Sequence, residues 1–118
     1  MLTEDSGVLP RQERLTRSGE FREVCREGRR YAGGALVLYF LPGRPGTRLG
    51  LRVPRRVGTA VERNRVRRLL REAYRQLRGE LPPGWYVLVA RSECAGMGIM
   101  ELREALGSLV KKAEADAR

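Results

Sequence analysis

The sequence predicts an α+β fold: a two-layer sandwich of helices against one small mixed sheet of three or four strands. Three observations carry the prediction. Two long stretches, 59–78 and 99–117, repeat apolar residues at helical spacing. Short runs rich in β-branched and aromatic residues, notably 35–41, 49–53 and 85–90, are separated by Gly- and Pro-containing turns. At 118 residues, 42% of them hydrophobic, the chain is large enough for one modest core and too short for two. The order of elements is α-β-β(-β)-α-β-α, an arrangement that packs helices on a sheet rather than alternating them through it.

Taken in order, residues 1–10 show no periodicity and are expected to lack fixed structure, leaving a single domain over 11–118. Arg11 to Arg17 is basic, with one aliphatic residue, Leu15, suited to pinning an extended lead-in to the core. Ser18 is placed to N-cap a short helix that carries Glu20 in its first turn and ends at Gly28. Phe21, Val24 and Cys25 share one face of that helix. An additional short strand falls near Arg29–Tyr31, then strands at Ala35–Leu41 and Leu49–Val53 flank the turn-rich loop from Pro42 to Thr47. Trp85–Ala90 reads as a buried strand. Ile99–Ala117 reads as an amphipathic helix with Ile99, Leu102, Leu106, Leu109 and Val110 inward, weakened slightly by Gly107.

Composition excludes several classes of function. No apolar run approaches the roughly 20 residues that span a bilayer. Met1–Ser6 is acidic and lacks the apolar core of a signal peptide, so a cytoplasmic protein is expected. The two cysteines, Cys25 and Cys94, are too few for a four-ligand zinc site or a secreted disulfide framework, and read as small apolar residues in a reducing compartment. There is no histidine, the commonest general base, and no clustered acid pair, so catalysis by protein side chains is not expected.

Charge is distributed very unevenly. Residues 44–78 hold twelve arginines against Glu62 and Glu72, a net of +10; the whole chain is also +10, so the rest balances. The centre of this segment is a helix in which Thr59 is the N-cap, Glu62 completes a capping box, Gly79 suits the position after the last turn, and Pro82-Pro83 forbid continuation. Val66, Leu69, Leu70, Ala73 and Leu77 form its apolar stripe. Asn64, Arg67, Arg68, Arg71, Arg75 and Arg78 gather within roughly a 100° arc on the other side, with Arg63 and Arg65 at its flanks. Arg67, Arg71 and Arg75 follow at i, i+4, where like charges cost roughly 0.2–0.5 kcal/mol per pair. A solvated helix face ordinarily mixes signs, so this row points to a polyanionic partner. With 22 arginines and two lysines, the surface suits bidentate contact with phosphates and stacking on bases. A helix lying on a membrane surface is the rival reading of a basic amphipathic helix, although the apolar stripe has the width that a core helix buries.

The run Arg55-Arg56-x-Gly58-x-Ala60-Val61-x-Arg63-Asn64-Arg65-x-Arg67-Arg68-x-x-Arg71 resembles the signature of the bacterial ribonuclease P protein subunit, with arginine at some positions where that family commonly has lysine. The resemblance extends in order over roughly residues 11–112. It implies a left-handed β-α-β crossover over residues 49–90, against the right-handed base rate. It also implies that Arg55, Arg56, Arg63, Asn64, Arg65, Arg67, Arg68 and Arg71 contact the catalytic RNA. Phe21 and Tyr39, with charge from Arg52, match positions lining a cleft for the 5′ leader of precursor tRNA, where stacking contributes about 1–3 kcal/mol per base. Family members often have a second aromatic one turn after Phe21; this chain has Cys25 there. Tyr31, Tyr74, Tyr86 and Trp85 are read as packing residues.

The loop 42–47 corresponds to a family loop linked with metal binding, but it has no carboxylate, and hard cations need oxygen ligands. No protein-held metal or cofactor is therefore expected, and magnesium is assigned to the RNA subunit. The expected partners are ribonuclease P RNA and precursor tRNA, with no membrane and no obligate protein partner. The expected function is the protein component of a holoenzyme whose RNA cleaves the leader. Charge alone would equally allow a non-catalytic RNA-binding module such as a ribosomal protein.

Overall fold

The computed structural model describes residues 11–116; the expectation for residues 1–10 lies outside them. A single 3-10 turn, Arg11–Glu13, leads to α1 (Ser18–Glu27), then β1 (Arg29–Ala32), β2 (Leu36–Pro42), β3 (Arg48–Arg52), α2 (Ala60–Leu77), β4 (Gly84–Ala90) and α3 (Ile99–Asp116). The four strands form one sheet in the order β1-β2-β4-β3. β2 is antiparallel to both β1 and β4, whereas β3 and β4 are parallel and joined through α2. This is the α+β architecture the sequence predicts, with the optional fourth strand present.

Alternation along the strands divides the core. Leu36, Leu38 and Phe40 of β2, with Tyr86, Leu88 and Ala90 of β4, face α2 and α3. Phe40 and Tyr86 stack there with ring centroids 4.6 Å apart. α2 contributes Val66, Leu70, Ala73, Tyr74 and Leu77, and α3 contributes Leu102, Leu106, Leu109, Val110 and Ala113. Tyr74 thus extends the predicted stripe, while Leu69 is only partly buried. The opposite sheet face carries Leu41 and Val87, covered by Val24 of α1 and by Leu15, with Phe21, Cys25, Tyr39, Trp85 and Val89 half-buried around them. The main core is therefore the expected helix-on-sheet sandwich, and α1 crosses the other face.

Leu15 pins the lead-in as expected: its N–H donates to the carbonyl of Leu49 at 3.0 Å, and Arg14 bridges Leu49 in parallel on the free edge of β3. Two end signals differ from the reading of the sequence. Ser18 is already helical and Arg17 occupies the cap position, because the Glu20 carboxylate folds back to accept the N–H groups of Thr16 and Arg17, both at 3.1 Å. Gly79 does not terminate α2 in a left-handed conformation; the chain continues into a 3-10 turn, Arg78–Glu80.

The buried phenols give a test of this packing. Burial lifts Tyr74 to about 12 from an ordinary 10.0, and raises Tyr86, whose hydroxyl donates to the Pro82 carbonyl, further still. Below pH 10 both folded and unfolded chains keep the Tyr74 proton. Between about pH 10 and 12 the unfolded chain releases it and the folded chain does not, so stability falls with rising pH, by about 2–3 kcal/mol for two pKa units. Urea midpoints measured from pH 8 to 12 should decline above pH 10, and Tyr74→Phe should flatten the decline.

Candidate nucleic-acid interface

The start of α2 is built as its sequence requires. The Thr59 hydroxyl accepts the Glu62 N–H at 3.2 Å, and the Glu62 carboxylate accepts the Thr59 N–H at 2.7 Å, closing a capping box. Gly58 makes room for that carboxylate, since a Cβ on it would lie 2.3 Å from Glu62 Oε1. The glycine of the signature and the acid of the capping box are thus one steric unit, and Arg55 and Arg56 are set on the exposed turn immediately before it.

The arginine face divides into two parts. Among the described residues, Arg55, Arg56, Arg63, Arg65, Arg67, Arg68 and Arg71 form no ion pair. Arg67 is held by the Asn64 side-chain oxygen at 2.8 Å, which orients the guanidinium without neutralising it. Further along, Arg75 pairs with Glu72 at 2.7 Å and Arg78 pairs with Glu13. The arc predicted to run as far as Arg78 is therefore uncompensated only up to Arg71, because the two acids within reach lie at its C-terminal end.

On the other side of the sheet, the register sets three rows side by side. Arg30, Tyr39, Val87 and Gly50 make one row across the four strands. Leu41, Trp85 and Arg48 lie on one side of it, and Val37, Val89 and Arg52 on the other. Phe21 of α1 rests on Gly50: a Cβ there would come within 2.5 Å of its ring. The Arg52 guanidinium sits 5.8 Å from the Phe21 ring centroid. Cys25 is half-buried beside Arg52, and burial pushes its thiol up against the opposing pull of that charge. Phe21 and Arg52 are thus brought together. Tyr39 shares their sheet face, but its strand is two removed from β3, about 10 Å at ordinary strand spacing.

The two halves of the surface meet at the β3 edge. A groove of about 230 Å³ is lined by Phe21 and Gly50 on the α1 side, by Arg67 and Arg71 on the α2 side, and by Arg14 and Leu15 of the lead-in between them. Burial lowers the Arg71 pKa, and the charges of Arg67 and Arg14 lower it further. Three guanidinium groups thus converge on one partly desolvated space, an arrangement that an anion would relieve.

Two kinds of residue escape the reading of the sequence. Arg14 joins the surface only because the lead-in docks on β3, a tertiary contact that no local pattern encodes. Trp85 packs against the α1-side core as expected but is only half-buried, with Arg48 and Arg44 at 5.5 and 5.9 Å from its ring and its Nε1 donating to the Pro45 carbonyl at 3.3 Å. A signal for Arg48 is present in the sequence, since alternation across Gly50 puts it on the same face as Arg52. Of the four aromatics expected to pack, the three tyrosines, Tyr31, Tyr74 and Tyr86, are buried as expected. The 42–47 loop contains Arg44, is followed directly by Arg48 and spends one of its carbonyls on Trp85.

An α+β domain with one uncompensated arginine surface, continuous with an aromatic cleft, is the class defined by these features. Residues 9–114 match the family described as Ribonuclease P. The chain is 39% identical over 109 residues to the ribonuclease P protein component of Shouchella clausii, covering 90% of this chain and 89% of that one. It is 42% identical over 105 residues to the protein component of Xylella fastidiosa, covering 88% and 78%. The solved ribonuclease P protein of Thermotoga maritima superposes with a TM-score of 0.75 at 30% identity, over 85% of this chain and 96% of that one. The chain belongs to the ribonuclease P protein family.

The unpaired state of the α2 arginines has a measurable consequence for stability. Arg67→Ala and Arg71→Ala remove like-charge neighbours and no ion pair, so neither should lower the melting temperature at low ionic strength. A gain of roughly 0.2–0.5 kcal/mol per relieved pair is expected, fading as salt is added. Calorimetry at low and high salt checks this.

Proposed function

We propose that the chain is the protein subunit of ribonuclease P, holding the catalytic RNA on the unpaired arginine face of α2 and the 5′ leader of precursor tRNA in the cleft beside Phe21. The observation that carries this reading is the set of seven signature arginines with no carboxylate partner among the described residues, two on the turn before α2 and five on that helix, whose opposite side is locked into the core. Such a face is electrostatically incomplete, and RNA phosphates complete it with bidentate, charge-assisted contacts. Arg55, Arg56, Arg63, Asn64, Arg65, Arg67, Arg68 and Arg71 serve the catalytic RNA. Phe21, with Arg52 above its ring, offers a platform on which any leader base stacks. Tyr39 extends the same sheet face.

In this reading the protein does no bond chemistry. The RNA subunit hydrolyses the phosphodiester with magnesium held on its own phosphates, and the protein lowers the repulsion between two polyanions and positions the substrate. A cytoplasmic site of action follows from that role.

Reconstitution with ribonuclease P RNA tests the proposal. The chain should restore site-specific cleavage of precursor tRNA at magnesium concentrations where the RNA alone is slow, and the RNA-free protein should not cleave. A chain that binds RNA generally but leaves this cleavage unaltered is an RNA-binding module of another kind. Within the active complex, Arg67→Ala and Arg71→Ala should each reduce the magnitude of the log–log salt slope for RNA binding by about one. Unchanged slope and affinity in both would make this face merely solvated surface.

A further inference from the structure

Among the described residues two large hydrophobic side chains stand out in solvent, Val61 at 79% and Met100 at 72% exposure. Their surroundings differ. Met100 borders a shallow groove between α2 and α3 with charges of both signs, Glu80 and Glu104 against Arg103 and Lys111, the mixture of an ordinary solvated face. Val61 lies in the first turn of α2. At about 100° per residue it points nearly opposite to Val66, Leu70 and Leu77, all of them buried. Its neighbours along that crest are Asn64, Arg65 and Arg68 at i+3, i+4 and i+7, and Arg55 and Arg56 occupy the exposed turn just before the helix. None of these four arginines forms an ion pair among the described residues, and the adjacent acid, Glu62, is folded back onto the Thr59 N–H. The fold itself does not call for valine here. Val61 belongs to neither apolar cluster, and a β-branched residue is a poorer helix former than alanine. Nor does it staple the cap, since the positions that form such a staple are held by Gly58 and Arg63.

We infer that Val61 is the apolar centre of the contact with the catalytic RNA, and that it seats against an unpaired nucleobase of that RNA rather than against paired helix. The inference rests on the reading of the chain as the ribonuclease P protein, and adds to it a residue that sets specificity. A paired A-form helix turns phosphates and 2′-hydroxyls outward, and arginines alone satisfy these. A branched hydrocarbon placed among such arginines finds no partner on that surface. A base splayed from a loop or bulge, by contrast, offers an apolar face and polar edges within one small area. The hydrocarbon of Val61 meets the face, while the surrounding guanidinium groups hold the flanking phosphates and keep water from the contact. The division of labour follows from the chemistry. The arginines give affinity for any RNA, and Val61 distinguishes an RNA that presents an unpaired base at this point from an equally charged one that does not.

The test compares the full chain with two variants, Val61→Thr, which keeps the branched shape but exchanges a methyl for a hydroxyl, and Val61→Ile, which keeps the hydrocarbon. Val61 is exposed, so both variants are compatible with folding, and circular dichroism and melting temperature serve as the check. The probes are ribonuclease P RNA and a fully paired RNA duplex. Val61→Thr should bind ribonuclease P RNA about fivefold more weakly, with an unchanged salt slope because no phosphate contact is lost. Val61→Ile should retain wild-type affinity, and the duplex should bind all three proteins alike. Base-specific chemical probing should show one unpaired nucleotide that the wild type protects and Val61→Thr leaves open, while the backbone footprint stays the same. Wild-type affinity and base protection in Val61→Thr overturn the inference. An equal loss on the duplex, or a reduced salt slope, likewise overturns it and leaves Val61 acting only through its arginine neighbours. Failure of the wild-type chain itself to support cleavage by ribonuclease P RNA would instead overturn the underlying reading.

Discussion

The apolar anchorage of α2 is the constraint on which the rest of the structure depends. Val66, Leu70, Ala73, Tyr74 and Leu77 are all buried against the sheet and α3, and each large side chain so buried contributes about 1.5–3 kcal/mol. Against this stands a row of guanidinium groups whose mutual repulsion costs a few tenths of a kcal/mol per neighbour. The helix tolerates an unbalanced face because its other face is far more strongly held. The same anchorage fixes the rotation of α2, and so determines which arginines look outward and which flank the β3 edge. A loosely held helix could turn its charged side towards any available carboxylate; this one cannot.

Much of this is legible in the sequence. Helical spacing identifies α2 and α3, and most of their inward residues are the buried ones. The capping box follows from Thr59 and Glu62 alone because it depends on side chains three positions apart, a range that local pattern covers well. What escapes has tertiary causes. Arg17 replaces Ser18 at the head of α1 because a carboxylate folds back on it. Trp85 lies within a run so apolar that it reads as buried on both sides, yet α1 covers that face of the sheet only in part. Arg75 and Arg78 resemble members of a continuous row; their neutralisation by Glu72 and Glu13 depends in the second case on a contact 65 residues apart in sequence.

The candidate surface divides along the same line. The signature arginines announce themselves through their spacing on one helix, so the order of residues along the chain nearly suffices to define the α2 side. The cleft side is assembled from the lead-in, α1 and β3. Its composition follows from which strand lies at the edge and where the lead-in docks, neither of which a local window contains. Gly50 is the clearest instance. In sequence it is a weak point in a strand; in three dimensions it is the seat of the Phe21 ring.

The edges of the sheet carry a last consequence. A short open sheet presents unpaired backbone groups at both margins, and such margins invite strands from other copies. Here β1 bears Arg29 and Arg30, and β3 bears Arg48 and Arg52, with the lead-in bridging only at Leu49. Two copies meeting edge to edge would bring like charges into register along the line where hydrogen bonds must form. The arginine content of the edge strands therefore also acts as a gatekeeper against aggregation, guarding both margins of the sheet in the free chain.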